Sequence, residues 1–237
     1  MNSILHKANS RGRSNHGWLD SYHSFSFADY HNPERMNFGV LRVLNDDIIA
    51  GGTGFGRHPH NNMEIITIPL YGDLEHEDSM GNKAVIRQGD VQVMSAGTGI
   101  YHSEYNKNQD KELSLLQIWI IPNKKNVTPR YDQIAIAQLE KQNSFFQILS
   151  PSPDDQGVWI HQNAWFYLAY FDENISKIYN LKNAENGVYV FVIEGQIELA
   201  GHNLDKRDAI GVWDTESFTL KSNTKTKVLV MEILMAL

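Results

Sequence analysis

Four residues of the 237-residue sequence carry groups that could bind a metal ion, in two closely spaced pairs. His58 and His60 flank a proline, and His102 precedes Glu104 by one serine. In a β-strand, residues two apart lie on one face, and the proline favours an extended backbone before it. If the two strands pair or face each other, three nitrogens and one oxygen converge. Such a set suits Fe²⁺, Ni²⁺, Mn²⁺, Cu²⁺ or Zn²⁺.

The composition narrows the chemistry further. The chain has no cysteine, which excludes disulfides, thiolate metal sites and thiol nucleophiles, so a bound metal must use histidine and carboxylate ligands. Its formal net charge of −7 disfavours direct nucleic-acid binding. No apolar run is long enough to cross a membrane, and the N-terminal residues lack a signal-peptide pattern. We therefore expect a cytoplasmic protein with no membrane segment.

The elements that must position these ligands are short. Apolar, β-branched runs of four to eight residues recur along the chain and end at Gly, Pro, Asn or Asp, whereas helical periodicity is almost absent. This pattern predicts an all-β protein built as an antiparallel sandwich or barrel. A short helix is predicted at residues 134–142. Pro69 lies inside one of the runs and predicts an edge or a bulge there.

An internal repeat divides the predicted strands into two halves. Residues 65–72 resemble residues 188–195, with an offset of 195 − 72 = 123, and residues 89–94 resemble residues 207–212, with an offset of 208 − 90 = 118. Two barrel-like halves follow. The same offsets map the possible ligands onto residues that do not bind metals, so we expect no metal in the C-terminal half: Leu181, Asn183, Gly187, Leu220 and Ser222.

The spacing of the histidines resembles the cupin superfamily. The first cupin motif matches Gly52, His58, His60, Glu64 and Gly72, and a looser second motif matches Gly89, His102 and Asn106. Within the cupins, the chain resembles the pirin family much more closely. The segments that carry this resemblance are HGWLDSYHSFSF at 16–27, LRVLNDD at 41–47, EHEDSMGN at 75–82, MSAGTGIYHSE at 94–104 and LQIW at 116–119.

The pirin resemblance implies a bicupin, an all-β chain with two cupin-type antiparallel β-barrels. Residues 1–133 would form the barrel with the metal site, and residues 134–237 a barrel without metal ligands. It implies one divalent transition-metal ion per chain, iron ahead of Ni, Mn, Cu and Zn. The ligands it implies are His58, His60, His102 and Glu104. Strand parity alone also permits Glu64, where many cupins place their carboxylate ligand, but the pirin pattern favours Glu104.

The resemblance also implies an activity. Several bacterial pirin-like proteins are quercetin 2,3-dioxygenases, so we expect a metal-dependent dioxygenase that opens a flavonol-like substrate with O₂. Glu104 would then be both ligand and proton acceptor. The alternative is a metal-containing, redox-sensing regulatory protein that contacts a protein partner, as eukaryotic pirins do with transcription factors. A metal-dependent isomerase would share the ligand chemistry.

Two further residues are predicted near the site, as pocket or supporting residues alongside Glu64. His76 lies on the strand face that points into the barrel, and Gln117 stands alone among apolar neighbours, where a buried amide needs hydrogen-bond partners. The other histidines have no partner at ligand spacing and are predicted to be structural or exposed. The aromatic residues near the N-terminus are predicted to be core residues: Trp18, Phe25 and Phe27. The histidines that are predicted to be structural or exposed are His6, His16, His23, His31, His161 and His202.

Overall fold

The computed structural model describes residues 1–236, and nearly all of their regular structure is β-strand. Within these residues, the helical segments are two 3-10 turns, Ala8–Ser10 and Ile136–Gln138. The predicted all-β, antiparallel fold class is confirmed. The helix expected at residues 134–142 is reduced to the second 3-10 turn, because the chain up to Ala135 is still paired as a strand.

Twelve strands precede residue 136, and ten follow it. The first twelve are β1 Asn2–His6, β2 Gly12–Asn15, β3 Leu19–His23, β4 Leu41–Ile49, β5 Gly54–His60, β6 Glu64–Tyr71, β7 Asp73–Asp78, β8 Lys83–Arg87, β9 Asp90–Ser95, β10 Ile100–Asn106, β11 Leu113–Ile120 and β12 Arg130–Ala135. The last ten are β13 Phe145–Ser150, β14 Val158–Trp159, β15 Ala164–Phe171, β16 Ser176–Asn180, β17 Asn186–Glu194, β18 Ile197–Leu199, β19 His202–Leu204, β20 Ala209–Trp213, β21 Ser217–Ser222 and β22 Thr226–Leu234.

The strands form two barrels, each with a seven-stranded and a four-stranded sheet. In the N-terminal barrel the orders are β12-β9-β6-β11-β4-β3-β2 and β5-β10-β7-β8. In the C-terminal barrel they are β1-β20-β17-β22-β15-β13-β14 and β16-β21-β18-β19. The two large sheets therefore match strand for strand. Neighbouring strands are antiparallel except β13 and β14, which are parallel.

The first strand crosses between the halves. Residues 2–6 pair with residues 209–213 of β20 and so belong to the C-terminal barrel, although the sequence assigns them to the predicted unit 1–133. Lys7 and Ala8 anchor the end of this strand, since both donate hydrogen bonds to the buried carboxylate of Asp208. The sequence cannot reveal such a pairing because the partner strand lies about two hundred residues away. The remaining division into two units stays a prediction.

Apolar side chains form one shared core and separate barrel interiors. The largest cluster lies between the barrels and contains residues from both, including Ile66, Ile68, Phe166 and Phe191. The interior of the C-terminal barrel is filled by a second apolar cluster. The interior of the N-terminal barrel holds only two small apolar clusters, which leaves room between them for polar groups.

Pro69 lies at the bulge that its position predicts. It pairs with Leu115 of β11, and the register between β6 and β11 shifts at the next step. A bulge accommodates a proline because the ladder there needs no donor from its nitrogen. No helix among residues 1–236 is both long and apolar enough to span a membrane.

Candidate metal centre

Three histidine side chains converge where β5 pairs with β10. His58 lies directly opposite His102 in the register, and His60 lies two residues further along β5. The ring centroids are 4.4 Å apart for His58 and His102, 4.8 Å for His60 and His102, and 4.9 Å for His58 and His60. Each ring offers a nitrogen within 4.8 Å of the other two. The three imidazoles can therefore surround one ion.

Local backbone features bring the two strands together at this point. The register shifts between His102 and Glu104, so Glu104 lies opposite Phe55. A Cβ atom on Gly54 would lie 2.2 Å from the carbonyl oxygen of Glu104. Only glycine at this position lets β5 approach β10 so closely. Gly54, before the first histidine, thus has a specific steric role.

The protonation states suit metal binding. Burial, with the other imidazoles, lowers the pKa of His60 to about 4 and the pKa of His102 to about 3, so both rings are neutral at pH 7. Neutral imidazole is the form that binds metals. His58 Nδ1 lies 2.8 Å from the Gly56 carbonyl, which can only accept a hydrogen bond, so this nitrogen carries the proton and Nε2 stays free as a ligand.

His102 gives a direct sign that a ligand fits here. The side chain is 2% exposed, and neither ring nitrogen has a hydrogen-bond partner among residues 1–236. A buried polar group without a partner is costly, and a bound ion is one of the few things that explains it. The chemistry of the donor set and this unpartnered ring both fit a divalent transition metal.

Glu104 is buried beside His102 and is held by Gln117. The Gln117 amide nitrogen donates to Glu104 Oε2 at 3.1 Å and to Oε1 at 3.3 Å. Thr67 Oγ1 donates to Gln117 Oε1 at 3.3 Å, which fixes the amide so that its nitrogen faces the carboxylate. A carboxylate oxygen of Glu104 lies within 4.8 Å of nitrogens of His102 and His76. Gln117 therefore finds the partners that its burial requires.

His76 lies behind His102, inside the barrel. It pairs with Glu104 across β7 and β10, and its ring centroid is 5.2 Å from that of His102. Its nearest carboxylate is that of Asp78, 3.5 Å from Nε2. Both nitrogens of His76 are buried without hydrogen-bond partners in the described chain. His76 thus borders the candidate centre on its inner side.

Glu64 lies elsewhere, which corrects its predicted place in the pocket. Asn62 has a φ of +48° in the turn between β5 and β6, so strand parity does not carry from His60 to Glu64. Glu64 instead shares the face of Ile66 and Ile68, towards the C-terminal barrel, and accepts a hydrogen bond from Ser95 Oγ at 2.6 Å. Burial raises the pKa of Glu64 to about 7.

A cavity of about 540 Å³ opens above the three imidazoles. This volume lies within the usual range for small-molecule sites. Aromatic rings dominate its walls: Trp119 stands edge-on to His60 with centroids 4.9 Å apart, and Trp18 packs against Phe55 at 5.2 Å. His16, Trp18, His23 and Phe27 also line the cavity, although the sequence predicted structural, exposed or core positions for them.

A row of polar side chains crosses the seven-stranded sheet of the N-terminal barrel. From the sequence, only Gln117 of this row was predicted to lie near the site. Directly opposite residues of neighbouring strands share a face, and one such row runs through six strands. In order from β12 to β3 it contains Gln133, Gln92, Thr67, Gln117, Asn45 and His23. Single polar residues within apolar runs were the available signal, but only the register reveals that they align.

Metal-binding geometry is confined to this barrel in the part of the chain that is described. Both groups of three or more clustered ligand side chains in residues 1–236 lie in the N-terminal half: His58, His60 and His102, and His76, His102 and Glu104. The C-terminal barrel also has a buried carboxylate, Glu232, but it is surrounded by donors of its own chain. Tyr179 Oη lies 2.7 Å from it, and the backbone nitrogen of Lys182 lies 2.7 Å away.

Comparison with known proteins places these features in a family. Residues 5–120 match the family model described as Pirin, and residues 147–233 match the model described as Quercetinase C-terminal cupin domain. The chain is 41% identical over 229 residues to quercetin 2,3-dioxygenase of Escherichia coli K12, covering 97% of each protein. It is 39% identical over 210 residues to the pirin-like protein of Caulobacter vibrioides, covering 88% of this chain and 90% of the other.

A solved structure agrees with this result over the whole chain. The crystal structure of the bacterial pirin YhhW from E. coli in complex with nickel(II) superimposes with a TM-score of 0.93 at 39% identity. The match covers 98% of this chain and 99% of the other. The resemblance seen in the sequence is confirmed, and the bicupin architecture with it.

Proposed function

The chain belongs to the pirin family, and we propose on that basis that it is a metal-dependent dioxygenase of the quercetin 2,3-dioxygenase type. Its substrate would be a flavonol-like aromatic enol. The overall reaction takes up one O₂, opens the central ring to an ester and releases carbon monoxide. The observation that carries the proposal is the cluster of His58, His60 and His102, with Glu104 beside His102, in the wall of an aromatic-lined cavity of about 540 Å³.

His58, His60, His102 and Glu104 would hold one divalent ion. Three neutral imidazoles and one carboxylate give the ion a net charge of about +1, which suits an anionic substrate. When bound, such an ion supplies Lewis-acid chemistry, since it lowers the pKa of a coordinated hydroxyl group. The donor set accepts nickel, which the YhhW structure contains, as well as iron, which remains our prediction for this chain. Metal analysis of protein from its native source would decide between them.

Glu104 is placed to accept the proton of the substrate hydroxyl. Its carboxylate lies beside His102, and the two contacts from Gln117 Nε2 restrain it. A positioned general base contributes typically about 10²–10⁴-fold to a rate. Gln117 acts as a positioning residue, because it orients Glu104 and is itself oriented by Thr67.

The aromatic walls account for the shape of the substrate. Trp119, Trp18, Phe55 and Phe27 border a space in which a flat ring system can stack. Edge-on and stacked aromatic contacts each add roughly 0.5–1.5 kcal/mol beyond simple burial. The enol end of the substrate would lie at the imidazoles, where its oxygen can reach the ion and its proton can reach Glu104.

The decisive test is turnover of quercetin by metal-loaded protein. We expect oxygen consumption with release of carbon monoxide, and loss of both in a His58→Ala/His60→Ala variant. His202→Ala, the same type of change on β19 of the C-terminal barrel, is the matched control and should keep full activity. Metal retention without turnover of any flavonol would contradict the proposal and favour the regulatory alternative.

A further inference from the structure

One wall of the cavity has no part in holding the metal. It is formed by β2, β3 and β4 and carries five polar side chains in a cavity that is otherwise mainly aromatic. They are Ser14, Ser21, His23, Asn45 and Asp47. We call this set the polar wall. Four of the five lie in the segments that carry the pirin resemblance, at 16–27 and 41–47, but the metal chemistry gives them no role.

Hydrogen bonds within the polar wall fix its geometry. His23 Nδ1 lies 2.8 Å from Asn45 Oδ1 and must donate to it, since that oxygen only accepts. His23 Nε2 then accepts from Ser14 Oγ at 3.1 Å. Ser21 Oγ donates to Asp47 Oδ1. Burial lowers the pKa of His23, which keeps the ring neutral and this pattern intact.

These bonds leave two polar atoms free. Within residues 1–236, no hydrogen bond uses Asn45 Nδ2 or Asp47 Oδ2, although the two side chains are only 2% and 3% exposed and line the cavity. Neither atom is among the fully enclosed, unpartnered atoms of the described chain, so both stay accessible to a ligand group that enters the cavity and pairs with them. The free amide donates, and the free carboxyl oxygen accepts.

The polar wall is tied to the candidate metal centre by the sheet register. Asn45 lies directly opposite Gln117, whose amide nitrogen donates to Glu104. Neighbouring strands are about 4.8 Å apart, so Asn45 lies one strand spacing from Gln117 and His23 lies two. If one end of a flat ligand lies at the imidazoles, a second ring of that ligand can therefore contact the polar wall.

The two free atoms of the polar wall suit a hydroxyl group. Asn45 Nδ2 can only donate a hydrogen bond, and Asp47 Oδ2 can accept one. A ligand hydroxyl both accepts and donates, so it can pair with either residue.

We propose that the polar wall is a subsite for hydroxyl groups at the end of the substrate remote from the metal, with Asn45 and Asp47 as the residues that recognise them. This inference rests on the proposed function and deepens it, because it assigns the residues that would recognise the substrate hydroxyls remote from the metal. Sites built to hydrogen-bond a substrate hydroxyl discriminate strongly against analogues that lack it, since their polar groups are then left unpaired.

Binding measured without oxygen tests the subsite independently of turnover. The ligands are quercetin and 3-hydroxyflavone, which share the enol and the ring skeleton but differ in the remaining hydroxyls, and the protein is nickel-loaded. We expect the wild type to bind quercetin more tightly by about 10- to 100-fold, as one or two hydrogen bonds give. In Asn45→Leu and Asp47→Leu, the ratio of the two dissociation constants should fall about tenfold towards one.

Matched variants distinguish a loss of hydroxyl recognition from a loss of folded structure. Asn45→Asp and Asp47→Asn keep a polar atom that a rotating hydroxyl can still pair with, so the ratio should stay within a few fold of the wild-type value. Gln147→Leu removes a buried amide from the C-terminal barrel and should leave the ratio unchanged. Asn45→Ala and Asp47→Ala remove the same atoms and replace any leucine variant that does not fold.

The outcomes distinguish this inference from the proposed function. An unchanged ratio in the leucine or alanine variants, equal binding of both ligands by the wild type, or no binding of either would overturn the subsite. Turnover of quercetin with an unchanged ratio would overturn the subsite alone. Selective binding that depends on Asn45 and Asp47 but gives no oxygen consumption would support the subsite and contradict the proposed dioxygenase activity.

Discussion

The seven-stranded sheets of the two barrels carry opposite kinds of side chain at equivalent positions, polar in one and apolar in the other. In the N-terminal barrel the row from β12 to β3 is polar: Gln133, Gln92, Thr67, Gln117, Asn45 and His23. In the C-terminal barrel the matching row from β1 to β13 is mostly apolar: Leu5, Ile210, Val190, Val230, Tyr167 and Gln147. The fold therefore does not need polar groups at these positions, and three members of the N-terminal row line the cavity: Gln117, Asn45 and His23.

The repeat found in the sequence aligns the same positions. Thr67 matches Val190 with an offset of 190 − 67 = 123, and Gln92 matches Ile210 with an offset of 210 − 92 = 118. These are the two offsets that the sequence repeat gives. The barrels thus differ in the side chains on a shared frame rather than in the frame itself. Burying amides and an imidazole where valine and isoleucine also fit is a cost that only a function explains.

The largest expected difference concerns the two buried carboxylates. Glu104→Gln keeps a neutral oxygen but loses the proton acceptor, so turnover should fall by about 10²–10⁴-fold. Glu232→Gln removes the charge that Tyr179 Oη and the Lys182 nitrogen bind. It should lower the free energy of unfolding by about 1–3 kcal/mol yet leave turnover of the folded protein within a few fold. Steady-state kinetics and chemical denaturation measure the two effects. The reverse pattern would contradict the assignment of Glu104 to turnover and of Glu232 to stability.

Metal binding should stabilise one barrel more than the other. An ion at a hundredfold excess over its Kd adds about 2.7 kcal/mol to the free energy of unfolding. The ligands lie on β5 and β10, so hydrogen exchange should slow most in the N-terminal barrel when metal is added to chelator-treated protein. His102→Ala should abolish this response. Equal protection of both barrels would contradict the assignment of a single site.

Exchanging residues between matched positions tests whether the polar side chain at that position contributes to turnover or to stability. Val190→Thr puts a hydroxyl into the apolar interior of the C-terminal barrel and should destabilise the protein by about 1–3 kcal/mol without changing turnover per folded molecule. Thr67→Val removes the donor that orients Gln117 and should cost about 1 kcal/mol or less. It should nevertheless lower turnover by about tenfold, as changes to outer partners of a metal site do. Thermal unfolding and kinetics on both variants measure this.

The smallest effect on turnover is expected for Glu64, at the junction of the barrels. The pKa of Glu64 is raised to about 7, so the folded protein favours the protonated carboxyl more than the unfolded chain does. Stability from this group is therefore complete below about pH 4.5 and is lost as the pH rises through 7. Glu64→Gln should be more stable than the wild type at pH 8 by roughly 1–3 kcal/mol, and this difference should vanish towards pH 5.

Turnover gives the control for that prediction. On our assignment Glu64 does not touch the ion, so Glu64→Gln should stay within a few fold of the wild-type rate. An inactive Glu64→Gln together with a nearly normal Glu104→Gln would show that the general cupin pattern applies and that the carboxylate was chosen wrongly. Denaturation at several pH values and oxygen consumption measure the two parts.

The sequence predicts features that neighbouring residues determine, and it fails for features that depend on residues far apart in the chain. The pairs around His58 and His102 follow from two-residue parity within one strand, and that local rule held. Parity failed for Glu64, because Asn62 in the intervening turn has a positive φ. Asn45 and Asp47 were missed for a different reason, since their meaning arises only when β4 is placed beside β3 and β11.

The position of β1 also bears on how the chain folds during its synthesis. Asn2 pairs with Trp213, so the partner of the first strand leaves the ribosome 213 − 2 = 211 residues later, roughly 10–40 s at the usual rate of translation. The N-terminal barrel contains no strand from beyond Ala135 and can close while translation continues. The C-terminal barrel must wait until nearly the whole chain has emerged. Its sheet is then completed by residues 2–6, which were made before every other strand of that sheet.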